Sequence, residues 1–218
     1  LCFIRVVDLV IYLYVSGSFM IQNGVHSLFA IPLFHSNEYK ISIKEKNFLI
    51  ELCQPNTLNE GNNRSSSDKY ILNHSELTNL KKYFDSKIEE YTRKYLKISN
   101  STQFYITQSW VNETPQGTYH HLHSHPNSIL SAVYFITESL SQINFRRQAT
   151  LFSSFQFELD QYNNLNSESW EMPDVKNSLY LFPSTLQHFV PVNNNKEIRY
   201  TISFNVFAKG VIGKDNKA

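Results

Sequence analysis

The hydrophobic pattern of this chain changes its period once, close to Asn100. Before that point, apolar residues recur at the i, i+3 and i+4 spacing of an amphipathic helix: Leu77, Leu80, Phe84, Ile88, Tyr91 and Tyr95. After it, apolar and polar residues alternate, which is typical of strands. Helices followed by an unbroken series of short strands indicate a mainly β protein, either a sandwich, a barrel or a jelly roll, with helices packed against a sheet.

The same pattern predicts the individual elements. A short helix is expected over Ile43 to Leu52, and Asn73 or Ser75 is expected to cap the longer helix, with Glu76 completing a capping box with Asn73. The polar stretch from Gln54 to Asp68 is predicted as a loop. The predicted strands are His26 to Phe34 (an edge strand, because it contains Pro32), Gln103 to Asn112, Ile129 to Thr137, Gln142 to Phe145, Ala149 to Leu159, Ser178 to Phe182, one entered at His188, and Ile198 to Ala208.

Composition limits the classes of function. Charged residues make up 18% of the 218 residues and the net charge is +1, so nothing favours a nucleic acid or an anionic membrane as partner. Two cysteines are too few for a disulfide scaffold and indicate a reducing, cytoplasmic setting. The length fits one domain.

The first 19 residues are almost all apolar. A membrane anchor or a signal segment is one interpretation, but Asp8 is costly in a span and Arg5 alone is a weak basic flank. We favour translated upstream sequence or an incomplete end. The single domain is therefore predicted to cover residues 20–218.

Histidines are concentrated just before the strand predicted from Ile129. Of eight in the chain, four lie within six residues: His120, His121, His123 and His125. Neutral imidazole is the commonest protein ligand for iron, zinc, copper and nickel. On an extended backbone His123 and His125 share one side, but so do His121 and His123. We favour the second histidine pair, His123 and His125, because it lies nearer the strand and is followed by Pro126, and we expect His120 and His121 at the pocket rim. A polar loop whose histidines only form hydrogen bonds is the alternative.

Two further residues extend this pattern downstream. His188 follows a Phe-Pro turn, and Arg199 follows it after ten intervening residues. The planar guanidinium of an arginine can bind a carboxylate through two N–H groups, and Thr201 lies on the same face of the strand as Arg199. The alternatives are a core histidine and a surface arginine. Trp110 and Phe182 are predicted to pack in the core.

Three runs resemble a family of 2-oxoglutarate- and Fe(II)-dependent oxygenases found in bacteria and marine phages. They are His123-Ser-His125-Pro-Asn-Ser-Ile-Leu-Ser131, Leu181-Phe-Pro-Ser-Thr-Leu-Gln-His188-Phe-Val, and Arg199-Tyr-Thr-Ile-Ser-Phe-Asn205, with Gln108-Ser-Trp-Val-Asn112 in support. Each run is weak alone, whereas the three in this order are specific. The resemblance extends from about residue 29 to residue 213.

The resemblance implies a double-stranded β-helix, a cupin-like jelly roll, with N-terminal buttressing helices. It also implies Fe(II) held by His123, His125 and His188, and 2-oxoglutarate held by Arg199 and Thr201. With O2 these would hydroxylate a substrate and release succinate and CO2. One departure is that His125 stands where such enzymes commonly have Asp or Glu.

Two other interpretations remain. One is a cupin-like metal-binding jelly roll without 2-oxoglutarate chemistry, and the other is a non-catalytic jelly roll used for assembly or recognition. Arg199 distinguishes the oxygenase from the cupin-like protein, because only the oxygenase needs a residue that binds 2-oxoglutarate. The substrate, small or peptidyl, and the oligomeric state stay open.

Overall fold

A computed structural model describes residues 24–25, 30–138, 142–148, 155 and 157–213. The chain divides into two compact units, residues 1–30 and 31–218, and every element below belongs to the second. The predicted leader at residues 1–19 and the predicted domain boundary after it lie outside the described residues. Within the described part of the chain, none of the helices has the length and apolar character needed to span a membrane.

Most of the strands follow the helices, as predicted. In chain order the elements are β1 (Phe34–Ser36), α1 (Ile43–Glu51), β2 (Asn56–Leu58), β3 (Arg64–Ser66), α2 (Thr78–Glu89), β4 (Thr102–Thr114), β5 (His120–His123), β6 (Leu130–Phe135), β7 (Ile143–Arg146), β8 (Ser169–Met172), β9 (Leu179–Pro183), β10 (Gln187–Val190) and β11 (Arg199–Gly210). However, β1 precedes α1, and β2 and β3 lie between the two helices. Short 3-10 turns precede α2, and a π-helical turn over Glu90–Tyr95 extends it.

The strands form two antiparallel sheets. The larger has the order β1-β9-β6-β11-β4-β3-β2, and the smaller has the order β5-β10-β7-β8. Strands that are distant in sequence lie side by side, as in a jelly roll. This mainly β architecture confirms the predicted double-stranded β-helix with buttressing helices.

Strand β11 shows how the alternation of its residues separates core from site. Ile202, Phe204 and Val206 are fully buried in the cluster that includes α2. Arg199 and Thr201, which alternate with these positions at the start of the strand, face the opposite side, where they line a cavity between the two sheets. Because successive side chains on a strand point to opposite faces, one strand supplies both the apolar support and the polar site.

The predicted helical stripe packs against the large sheet. Leu80, Phe84 and Ile88 are buried, and the Phe84 ring lies 4.8 Å from that of Phe204 and 5.4 Å from that of Tyr134, between centroids. Burying a side chain of this size stabilises a fold by roughly 1.5–3 kcal/mol. The helix therefore buttresses the sheet, as the sequence predicts.

Several element predictions are wrong. Residues 56–58 and 64–66 of the predicted loop form a hairpin, which turns through Gly61 and Asn62 at positive φ. Its polar strand β3 pairs with β4, so hydrogen bonding to a neighbour outweighs its low hydrophobicity. Residues 26–29 and most of the predicted strand at 149–159 lie outside the described residues; of the described ones, residues 30–33, 155 and 157–159 belong to no strand, and β1 starts at Phe34. Strand β8 was not predicted.

The predicted caps of the long helix are also wrong. Asn73 and Ser75 lie in the two 3-10 turns, and α2 starts without a side-chain cap. The Thr78 hydroxyl instead donates to the carbonyl oxygen of Ser75 at 2.7 Å. By contrast, Ser42 and Glu45 form a complete capping box on α1.

Candidate metal centre

Three of the predicted histidines converge between the sheets. His123 ends β5, His188 lies opposite it on β10, and His125 follows two residues beyond β5. Their candidate ligand nitrogen atoms all lie within 4.8 Å of one another. The structure thus brings together the favoured pair and the distal histidine, and their role as metal ligands stays a prediction.

Backbone carbonyls fix the tautomer of two of these rings. Nδ1–H of His123 donates to the carbonyl oxygen of His121 at 2.8 Å, and Nδ1–H of His188 donates to that of Leu186 at 3.1 Å. In the neutral imidazole this leaves Nε2 with a free lone pair. Such a hydrogen bond on the far nitrogen is the usual way in which a protein orients a metal-binding histidine.

Burial of the three histidine rings keeps them neutral. Desolvation lowers the pKa of His123, lowers that of His125 to about 4, and holds that of His188 well below its usual value. A metal binds the unprotonated ring, so protons do not compete strongly for this site near neutral pH.

The two remaining histidines of the cluster take different positions. His120 lines the cavity, and its ring is stacked on that of His123 with centroids 4.5 Å apart and an interplanar angle of 17°. His121 lies outside the ligand group and lines a neighbouring surface groove together with Tyr119 and Leu122. His120 also lines this groove, so it lies between the cavity and the surface, and the expected rim position of His120 and His121 stays a prediction.

Arg199 is buried, which excludes the surface alternative. Its Nε donates to Oδ2 of Asp174, whose Oδ1 also accepts from the backbone N–H of Ile143 at 3.1 Å. The guanidinium lies 5.3 Å from the centroid of the Phe135 ring. Its Nη2 is buried without a hydrogen-bond partner. The Nε side of the guanidinium is therefore held by Asp174, and Nη2 retains a hydrogen-bond donor for an anion.

Sequence reasoning missed Asp174. Its side chain is 0% exposed, and burial raises its pKa, with Arg199 acting in the opposite direction. It follows Pro173 in a polar stretch, where nothing distinguishes it from a loop carboxylate. Only the fold brings it to Arg199.

A hydrogen-bonded chain joins β4 to β11 beside the cavity. Nε1–H of Trp110 donates to Oδ1 of Asn112 at 3.0 Å, and Nδ2 of Asn112 donates to Oγ of Ser203 at 2.8 Å and to Oγ1 of Thr201 at 3.4 Å. Trp110 thus lines the site rather than the core, so its predicted core position is wrong. Phe182 is buried as predicted, and also touches the ring of His188.

The donor set fits a metal ion and a carboxylate in one cavity. Three neutral imidazoles can hold iron, zinc, copper or nickel and leave coordination positions open. No acidic residue lines the cavity in the described part of the chain, so no carboxylate completes the set. Among the described residues, Arg199 is the only arginine in that lining, and its Nη2 has no hydrogen-bond partner.

Comparisons with known proteins agree with this arrangement. Residues 108–205, which contain all the site residues above, match the family described as "Putative 2OG-Fe(II) oxygenase". Comparison with curated proteins finds no match. The family match confirms the resemblance seen in the sequence and its cofactors, Fe(II) and 2-oxoglutarate, and it supports an oxidoreductase.

Solved structures share the fold at low sequence identity. The epimerase SnoN of nogalamycin biosynthesis, described as non-haem and α-ketoglutarate-dependent, has a TM-score of 0.58 at 10% identity, covering 82% of this chain and 80% of its own. HygX from Streptomyces hygroscopicus with nickel and 2-oxoglutarate bound has a TM-score of 0.55 at 10%, covering 81% and 82%. A Pseudomonas putida prolyl-4-hydroxylase has 0.52 at 11%, covering 80% and 92%.

Proposed function

We propose that this chain, whose residues 108–205 match the 2OG-Fe(II) oxygenase family, is a 2-oxoglutarate- and Fe(II)-dependent dioxygenase that hydroxylates its substrate. The observation that carries the proposal is one cavity containing both a group of three histidine nitrogens and a buried guanidinium nitrogen without a partner. A metal alone needs only the histidines. The second feature calls for an anion.

Each residue has a separate task in this proposal. His123, His125 and His188 would hold Fe(II), while Arg199 would bind the far carboxylate of 2-oxoglutarate and Thr201 would add a hydrogen bond beside it. When bound, the metal and cosubstrate supply the activation of dioxygen, with release of succinate and CO2. The protein orients them and limits the access of water.

Neighbouring side chains hold Arg199 and Thr201 in position. Asp174 holds the Nε side of Arg199, so the guanidinium is oriented before 2-oxoglutarate binds. Asn112 reaches Oγ1 of Thr201 as a donor, which leaves the threonine hydroxyl proton free to be donated to the cosubstrate. Preorganisation of this kind reduces the conformational entropy lost on binding.

A cupin-like metal-binding jelly roll is the second candidate. The all-histidine ligand set favours it, because oxygenases of this type commonly contribute one carboxylate to the metal. The two candidates differ in the task of Arg199, which a metal-binding protein without 2-oxoglutarate would not need.

The test is 2-oxoglutarate turnover. The purified chain with Fe(II) is expected to convert 2-oxoglutarate to succinate in an O2-dependent manner, faster in the presence of a substrate that gains one oxygen by mass spectrometry. A panel of free amino acids, prolyl peptides, nucleotides and lipids would search for that substrate. Metal binding without any 2-oxoglutarate binding would favour the cupin-like candidate.

A further inference from the structure

His125 differs from the other two proposed ligands in how its ring is held. His123 and His188 each donate Nδ1–H to a backbone carbonyl. In the described residues, His125 forms only a backbone hydrogen bond, from its N–H to the carbonyl oxygen of Ser184 at 3.0 Å. It also lies beyond the end of β5. Its imidazole therefore needs another restraint if it is to bind a metal.

Aromatic packing supplies that restraint. The His125 ring lies 5.2 Å from the ring of His188 and 5.1 Å from that of His123, which are proposed ligands themselves. The third ring is Trp110, with centroids 5.8 Å apart and an interplanar angle of 41°. In the described part of the chain, Trp110 is thus the only aromatic neighbour of His125 outside the ligand group.

Trp110 is itself firmly placed. Its Nε1–H is bound by Asn112, which is in turn bound to Ser203 on the neighbouring strand. Trp110 is paired with Ser203 in the register of β4 and β11, the two longest strands. The indole is therefore part of a rigid wall, whereas His125 lies in a loop.

We infer that Trp110 is a positioning residue that orients the His125 imidazole, in place of the ring hydrogen bond that the other two histidines have. This inference rests on the proposed function, since it requires His125 to be a ligand. It gives the indole a role beyond lining the cavity. Loss of the indole would let the His125 ring rotate away from the geometry that binds the metal.

The test is a double-mutant cycle on metal affinity, with Ni(II) as the probe and the full chain as the protein. Trp110→Leu and Trp110→Phe are each made in the wild-type background and in His125→Asp, where a carboxylate replaces the imidazole. Trp170→Leu is the matched control, because it changes the other tryptophan of the chain, which is half exposed on strand β8. Thermal melting verifies that each variant is folded.

We expect Trp110→Leu to weaken Ni(II) binding by about 10–100-fold, the usual effect of losing a group that orients a ligand. In the His125→Asp background the same substitution should change Ni(II) affinity less than about 2-fold, because no imidazole remains to orient. The two substitutions are then not additive, as is usual for residues in contact. Trp110→Phe keeps a ring but loses Nε1–H, so a smaller loss is expected, and it provides the cycle if Trp110→Leu does not fold.

Three results would overturn the inference. An equal loss in both backgrounds would mean that Trp110 supports the fold rather than His125. Unchanged affinity in the wild-type background would mean that the indole does not orient the ring. If the wild-type chain itself does not bind Ni(II), the proposed metal site fails, and the inference fails with it.

Discussion

His123 and His188 lie directly opposite each other on antiparallel strands β5 and β10, with ring centroids 4.3 Å apart. Each uses Nδ1 to bind the carbonyl oxygen of the residue two positions earlier. Two residues that are far apart in sequence thus have the same local geometry, and their Nε2 atoms are left free. A pair fixed in this way is the rigid half of the proposed metal site.

That relationship predicts the order of effects in the histidine variants. His123→Ala and His188→Ala should abolish iron binding, and His125→Ala should impair it severely, because each removes one of three clustered nitrogens. His125→Asp should retain some metal, since a carboxylate suits ferrous iron. Iron content of the purified variants measures this.

The matched control is His121→Ala, from the same histidine cluster but outside the ligand group. It should retain nearly all of its iron. Loss of iron in His121→Ala with retention in His125→Ala would mean that the proposed ligand set is wrong.

Arg199→Ala should weaken 2-oxoglutarate binding and leave metal binding nearly intact. Arg199 has a free donor for the cosubstrate carboxylate but is not in the histidine group. Removing one partner of a buried charge pair costs roughly 3–5 kcal/mol, and here the cost is expected in the free energy of 2-oxoglutarate binding. Calorimetric titration with 2-oxoglutarate, on protein loaded with a redox-inert metal, measures the effect.

Arg199→Lys separates the two tasks of the arginine. A lysine keeps a charge near Asp174 but lacks the planar fork, so it should restore stability more than 2-oxoglutarate affinity. Unchanged 2-oxoglutarate affinity in Arg199→Ala would favour the cupin-like candidate.

Asp174→Ala should reduce the free energy of unfolding by about 3–5 kcal/mol, because it leaves the Arg199 charge buried without its partner. The Ile143 N–H loses an acceptor as well. Urea denaturation measures the change. Asp160→Ala, at an exposed carboxylate, is the control and should stay within about 0.5 kcal/mol of wild type. A similarly small effect at Asp174 would contradict the assigned pairing.

Phe84→Ala should cost about 3–5 kcal/mol of stability, since it removes a fully buried ring between α2 and the large sheet. Lys82→Ala changes an exposed position of the same helix and should have little effect. Chemical denaturation compares the two. Because Phe84 lies on the helix side of the sheet, variants that stay folded should bind metal normally, and a specific loss of metal would contradict that separation.

The sequence alone determined the features that depend on periodicity. Alternation along β11 and the apolar run of β6 predict strands, and the stripe through Leu80 and Phe84 predicts a helix that packs on a sheet. Alternation alone left two histidine pairs open, and the set of His123, His125, His188 and Arg199 followed from the resemblance of their runs to the oxygenase family. These are local properties of the chain.

Tertiary structure alone decided the rest. Polar strand β3 has no hydrophobic signal and forms because β4 offers it a partner. Asp174 becomes the counterion of Arg199 only when the fold buries both, and Trp110 meets His125 only because β4 passes the loop after β5. Such contacts depend on the packing of distant segments, where the cost of an unpaired buried charge or donor selects partners that no local pattern specifies.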